Sequence, residues 1–69
     1  MSGHTYKIVE IVGSSMDSID DAIRSAITQA SATLRNLEWF EVVQTRGHIV
    51  DGKVGHFQVH LKIGFRVEG

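Results

Sequence analysis

Few side chains in this sequence could carry covalent or metal chemistry. There is no cysteine, so no thiolate nucleophile, thiolate metal site or disulfide can form. No serine stands in a G-x-S-x-G elbow. Four histidines, His4, His48, His56 and His60, are the remaining candidates for proton transfer or ligation. His56 and His60 are four apart. On a helix that spacing suits one zinc ion; on a strand it separates the rings by two pleats, too wide for one ion without a third ligand. The histidines therefore read as structural or surface groups, and no metal site is expected. An enzyme needs a nucleophile, acid or base gathered in a cleft, and no such set stands out, so no catalytic residue is assigned. What is left is recognition chemistry, centred on the only tryptophan, Trp39.

Size says how such a residue must be held in place. The chain has 69 residues, one domain over 1–69. A domain this small buries only about 60% of the surface its unfolded chain exposes. Ordering costs roughly 1.5 kcal/mol per residue, and burial at about 25 cal/mol per Å² barely offsets it. With disulfides excluded, association with further copies is the stabiliser with most room. A formal net charge of −1 offers no basic footprint for nucleic acid and no polybasic membrane anchor. Met1 to Glu10 holds no long apolar run of signal-peptide type, and no stretch approaches the length of a membrane span. The expectation is a soluble cytoplasmic protein.

The elements follow from periodicity. Tyr6 to Val12 reads as a strand rich in Tyr, Ile and Val. Ile8 and Val12 point one way, Val9 and Ile11 the other, so both faces need cover. One helix cannot cover both, which is a first hint of an interface. Gly13, Ser14 and Ser15 end the strand, and Ser15 is the candidate N-cap of a helix. Asp17, Asp20 and Asp21 suit the positive end of its dipole. The stripe Ile19, Ala22, Ile23, Ala26, Ile27, Ala30, Leu34 and Leu37 has helical spacing. With no Gly or Pro to stop it, the helix is expected to run to about Arg35. Glu38 to Val50 and Lys53 to Glu68 form a β-hairpin about Asp51-Gly52, a type I′ turn signal. The fold class is α+β: a strand-helix-strand-strand unit whose three-stranded antiparallel sheet packs on one helix.

A two-residue turn pairs Val50 with Lys53. Counted back without interruption, Thr45 lies opposite Gln58, Glu41 opposite Lys62 and Trp39 opposite Gly64. Phe40 and Val42 then join Leu61, Ile63 and Phe65 on the face that meets the helix. Trp39, Glu41, Val43 and Thr45 share the other face with Gln58, His60, Lys62 and Gly64. Trp39 therefore stands away from the helix, beside a residue with no side chain, with the Gln58 amide two pairs away. Two readings stay open: a subunit contact, the commoner use of such a tryptophan, and a platform for a planar ligand.

Together, Thr33-Leu34-Arg35-Asn36-Leu37-Glu38-Trp39-Phe40-Glu41-Val42, Arg46-Gly47-His48, Phe57-Gln58-Val59, Gly64-Phe65-Arg66-Val67-Glu68 and the opening Tyr6 to Gly13 resemble the bacterial dodecins, without gaps over nearly the whole chain. The resemblance implies a hollow homododecamer built from trimers, with flavins (FMN, riboflavin or FAD) held between tryptophans of symmetry-related subunits. It implies storage, buffering and quenching of excited flavin, not catalysis. By position, Trp39 would stack on the flavin and Gln58 would hydrogen-bond its polar edge. Arg46 and Arg66 would be the basic residues by the ribityl phosphate or the pocket mouth. An uninterrupted register sets Arg46 on the helix face, so either a bulge near Thr45 to Gly47 shifts the phase or Arg46 reaches a neighbouring subunit. Some dodecins also hold coenzyme A near the trimer axis; Lys7 and Arg35 are the candidate phosphate partners. Gln29 stands where some relatives carry a basic residue, and Met16 where proline is common. The rival reading is a structural oligomer or coenzyme A-type carrier without flavin specificity.

Overall fold

A computed structural model describes residues 3–67. The order is β1 (Tyr6–Ser15), α1 (Ile19–Ser31), β2 (Leu37–Val50) and β3 (Lys53–Arg66). The sheet is antiparallel throughout, in the order β1-β3-β2. The α+β unit expected from the sequence is the fold observed. The last strand ends at Arg66, and Glu68 lies outside the described residues.

Asp51 and Gly52 take φ of 52° and 75°, so the hairpin turn forms as their residue types predict. The alternation of β3 puts Val59, Leu61 and Ile63 under the helix, where they are the largest fully buried side chains. Ala22 and Ala26 complete the core, with Ile11, Ile23 and Ile27 packed around it. Small residues on both partners let the helix sit close. A Cβ on Gly13 would stand 2.7 Å from both the Ala22 carbonyl oxygen and the Ala26 methyl.

Three local expectations need correction. The N-cap is Ser18, not Ser15: the Asp21 amide donates to Ser18 Oγ at 3.0 Å. Ser15 is the buried last residue of β1. Its hydroxyl donates to Asp21 Oδ2 at 2.7 Å and accepts from the Asp17 amide at 2.9 Å, tying strand to helix. The helix stops at Ser31 rather than near Arg35. The Thr33 and Leu34 amides both turn back to the Ala30 carbonyl, and Asn36 takes a left-handed φ of 61°. Asn tolerates that conformation better than most residues.

The third correction concerns coverage. The helix lies over β1 and β3 only. Phe40 and Val42, expected beneath it, are each 46% exposed, and no residue of β2 is buried. A cleft of about 580 Å³ runs between Ile23, Ile27 and Phe40 instead. On the other face of the sheet, Ile8 and Val12 are 53% and 52% exposed. The Cα radius of gyration is 14.5 Å, against about 11 Å for a compact chain of this length. The excess is the long β2-β3 ribbon, which runs past the end of β1: Ser15 pairs with Phe57, and Lys53, Val54 and His56 pair with β2 alone.

Candidate ligand-binding surface

The sheet face away from the helix carries most of the residues singled out from the sequence. The ladder places Tyr6, Ile8, Glu10, Val12 and Ser14 of β1 opposite Arg66, Gly64, Lys62, His60 and Gln58 of β3. Across the second seam Trp39 faces Gly64 and Glu41 faces Lys62, as expected. A Cβ on Gly64 would fall among the Cζ2, Cε2 and Cη2 atoms of Trp39. The indole therefore occupies the space where a side chain at 64 would stand. Tyr6 meets it edge-on, with centroids 5.1 Å apart at 64°, a favourable aromatic geometry. Held this way, Trp39 remains 39% exposed.

Arg46 joins this face. The register slips between Val42 and Gln44, with Val43 as the extra residue, and slips back between His48 and Ile49, with Gly55 extra on β3. Between the two bulges the phase of β2 is inverted. Arg46 rather than Thr45 lies opposite Gln58, and Gln44 lies opposite His60. The bulge lies nearer the Trp39 end than Thr45 to Gly47. Arg46 Nε donates to Gln58 Oε1 at 2.8 Å and its Nη1 to Gln44 Oε1 at 3.2 Å. Tying down the Gln58 carbonyl leaves the amide NH₂ as the group that Gln58 presents, a donor for carbonyl or ring-nitrogen acceptors.

Trp39 and Gln58 are not brought together. Gln58 is six residues along β3 from Gly64, three same-face pairs rather than two, a separation of about 20 Å at strand rise. That is longer than a tricyclic flavin ring system. No single chain can stack a flavin on Trp39 and hydrogen-bond its ring from Gln58.

Arg66, opposite Tyr6, lies at the Trp39 end. It lines a shallow cleft of about 200 Å³ with Lys7, Arg35 and Asn36. Arg35, from the segment after the helix, meets there the ends of β1 and β3, where Lys7 and Arg66 lie on opposite faces of the sheet. Arg66 thus shares a cleft with Lys7 and Arg35, while Arg46 stays with Gln58 towards the other end of the ribbon.

Tyr6 and Gln44 join the residues singled out from the sequence. Tyr6 lies beside Trp39 because β3 is the central strand, an order the hairpin signal alone does not specify. Gln44 is the same-face neighbour of Arg46 two residues back along β2, and the bulge brings the two together to the face of Gln58. His60 Nε2 lies 2.7 Å from Glu10 Oε1, so it pairs with an acid of β1 rather than with His56. Among the described residues no group of three His, Cys, Asp or Glu side chains is placed to hold a metal, and no helix is long and apolar enough to cross a membrane.

A family model described as Dodecin matches residues 5–68. Dodecin of Thermus thermophilus is 47% identical over 66 residues, 96% of each chain. Among solved structures, dodecin from Streptomyces coelicolor superposes with a TM-score of 0.95 at 59% identity, covering 100% of this chain and 99% of that one. Dodecin from Streptomyces davaonensis has the same TM-score at 51% identity, covering 99% and 100%.

Proposed function

The chain belongs to the dodecin family, and from that premise we propose that it is a cytoplasmic flavin store and buffer, not an enzyme. Copies assemble into a hollow homododecamer built from trimers, stack FMN, riboflavin or FAD on Trp39, and quench the excited flavin. The observation that carries this reading is the seat of Trp39: an indole backed by Gly64, edged by Tyr6, and directed away from the chain's own core.

The energetics demand a second copy. Micromolar binding requires about 8 kcal/mol. One aromatic face against a flat ring supplies roughly 1–3 kcal/mol. The rest must come from a second tryptophan and from hydrogen bonds in a drier pocket. The distance from Trp39 to Gln58 agrees, because only a neighbouring chain can bring its amide to a ring stacked on this indole. The uncovered Phe40, Val42, Ile8 and Val12 supply the apolar area that such contacts would bury. An electron-rich indole against the excited ring gives quenching its route.

The test is titration with FMN, riboflavin and FAD, followed by loss of flavin fluorescence. The wild-type chain should quench all or some of these at micromolar concentrations. Trp39→Ala removes both indoles of a shared pocket and should weaken binding by at least about 5- to 150-fold, the roughly 1–3 kcal/mol of a single stack. A wild-type protein that leaves flavin emission unchanged would sink the proposal.

A second reading rests on the Lys7, Arg35 and Arg66 cleft. Basic residues around one cleft suit a polyphosphate-bearing ligand of coenzyme A type. Calorimetry with coenzyme A, wild-type against Arg35→Ala, tests it; equal heats would refute it.

A further inference from the structure

At the far end of the ribbon, His48 and His56 are directly opposite partners, with ring centroids 4.4 Å apart and planes inclined at 40°. This meeting depends on the register slip. Without it, His48 would face Gly55 and His56 would face Gly47. The slip inserts Gly55 on β3 between Val54, opposite Ile49, and His56, opposite His48. Gly55 is suited to the insertion, since a Cβ there would lie 2.7 Å from Val50 Cγ2. A bulge interrupts the ladder and re-aims side chains; here it brings two imidazoles into contact. They stand where the ribbon is only two strands wide, beyond the pairing of β1. The same-face neighbours on both strands, Arg46 and Gln58, are bonded to each other, with the guanidinium also held by Gln44 further along β2.

Opposed residues of an antiparallel pair have Cβ atoms about 4.5–5.5 Å apart. Two histidines so placed can each direct one nitrogen to a common ion at about 2.0–2.1 Å, which residues four apart on one strand cannot do. Imidazole pairs suit zinc, nickel and copper, and affinity follows the order in which copper(II) stands highest. We infer that His48 and His56 form a two-imidazole clamp for a divalent transition-metal ion, copper(II) bound most tightly, with water filling the remaining positions. The clamp is independent of flavin.

The experiment is calorimetric titration of the assembled protein with copper(II) and with zinc(II). A His4→Ala background is used throughout, so that the N-terminal histidine adds no competing ligand. The expected result is one copper(II) per chain, bound more tightly than zinc(II), with a paramagnetic resonance spectrum showing two nitrogen ligands. His48→Ala and His56→Ala should each abolish this binding, while His60→Ala retains it. Copper binding that survives loss of His48 or His56, or that disappears with His60, overturns the assignment. So does a spectrum with a single nitrogen ligand in the parent protein. Circular dichroism of each variant checks that the fold is kept, so that loss of binding reports loss of a ligand.

Discussion

The six-membered ring of Trp39 fills the side-chain position of Gly64 across the β2-β3 seam. The indole is thus set by a missing methyl as much as by its own strand. In Gly64→Ala the new Cβ clashes with the Cζ2, Cε2 and Cη2 atoms of the ring, and Trp39 must swing off its seat. Overpacking of this kind costs about 1–3 kcal/mol of stability. Flavin quenching and affinity should fall towards those of Trp39→Ala, and the double variant should bind no worse than Trp39→Ala alone. Such non-additivity is the mark of residues acting through one contact. Independent, additive losses would show that Gly64 does not seat the indole.

Arg46 tests a different link. A basic residue beside a phosphate would matter for FMN and not for riboflavin. Here its Nε is bonded to the Gln58 carbonyl, and under the proposed function it would orient the amide. Arg46→Met should therefore weaken FMN and riboflavin alike, by about 0.5–1.5 kcal/mol, the net worth of one hydrogen bond. A loss confined to FMN would assign Arg46 to the phosphate instead.

These two residues also mark what a sequence can and cannot disclose. Trp39 was placed correctly because Asp51-Gly52 fixes the turn and the two slips cancel before Gly64 is reached. An uninterrupted register misplaces Arg46, which lies between them; the phase-shifting bulge that would bring it across is present, at Val43 rather than within Thr45 to Gly47. A glycine inside a strand is a recognised sign of a bulge, and Gly55 was such a sign; Val43 carried none. The helix start was ambiguous because Ser15 and Ser18 both have capping side chains, and tertiary burial of Ser15 decided between them. Its end was signalled by Asn36, the residue type that accepts left-handed backbone, and not by the Gly or Pro sought there. The uncovered β2 could not be foreseen, since alternation tells which face a residue takes and not how far one helix reaches across it.

The approach of helix to sheet gives a prediction that concerns stability alone. Gly13→Ala sets a methyl 2.7 Å from the Ala22 carbonyl oxygen and the Ala26 Cβ. Neither can yield without moving the helix. Chemical denaturation should show a loss of about 1–3 kcal/mol, larger than the roughly 1 kcal/mol expected for Ser18→Ala at the helix cap. Equal effects would mean that the helix rides further from β1 in solution.

Self-association is tested on the face the helix leaves bare. Ile8 and Val12 stand on β1 with half their surface exposed, on the same side of the sheet as Trp39. Full burial of such a side chain is worth about 1.5–3 kcal/mol, and an assembly repeats that gain in every copy. Acidic replacements there would carry charge into an apolar contact, where an unpaired ion is strongly disfavoured. Ile8→Asp combined with Val12→Asp should therefore move the chain from an assembled to a monomeric elution position in gel filtration. The isolated chain, with its small core of Ala22, Ala26, Val59 and Leu61, should then melt well below the wild type. Because the flavin pocket as proposed needs a second chain, quenching should vanish in the same variant although Trp39 is untouched. An unchanged elution volume would show that this face is not the one covered, and quenching that persisted in a monomer would show that one chain suffices.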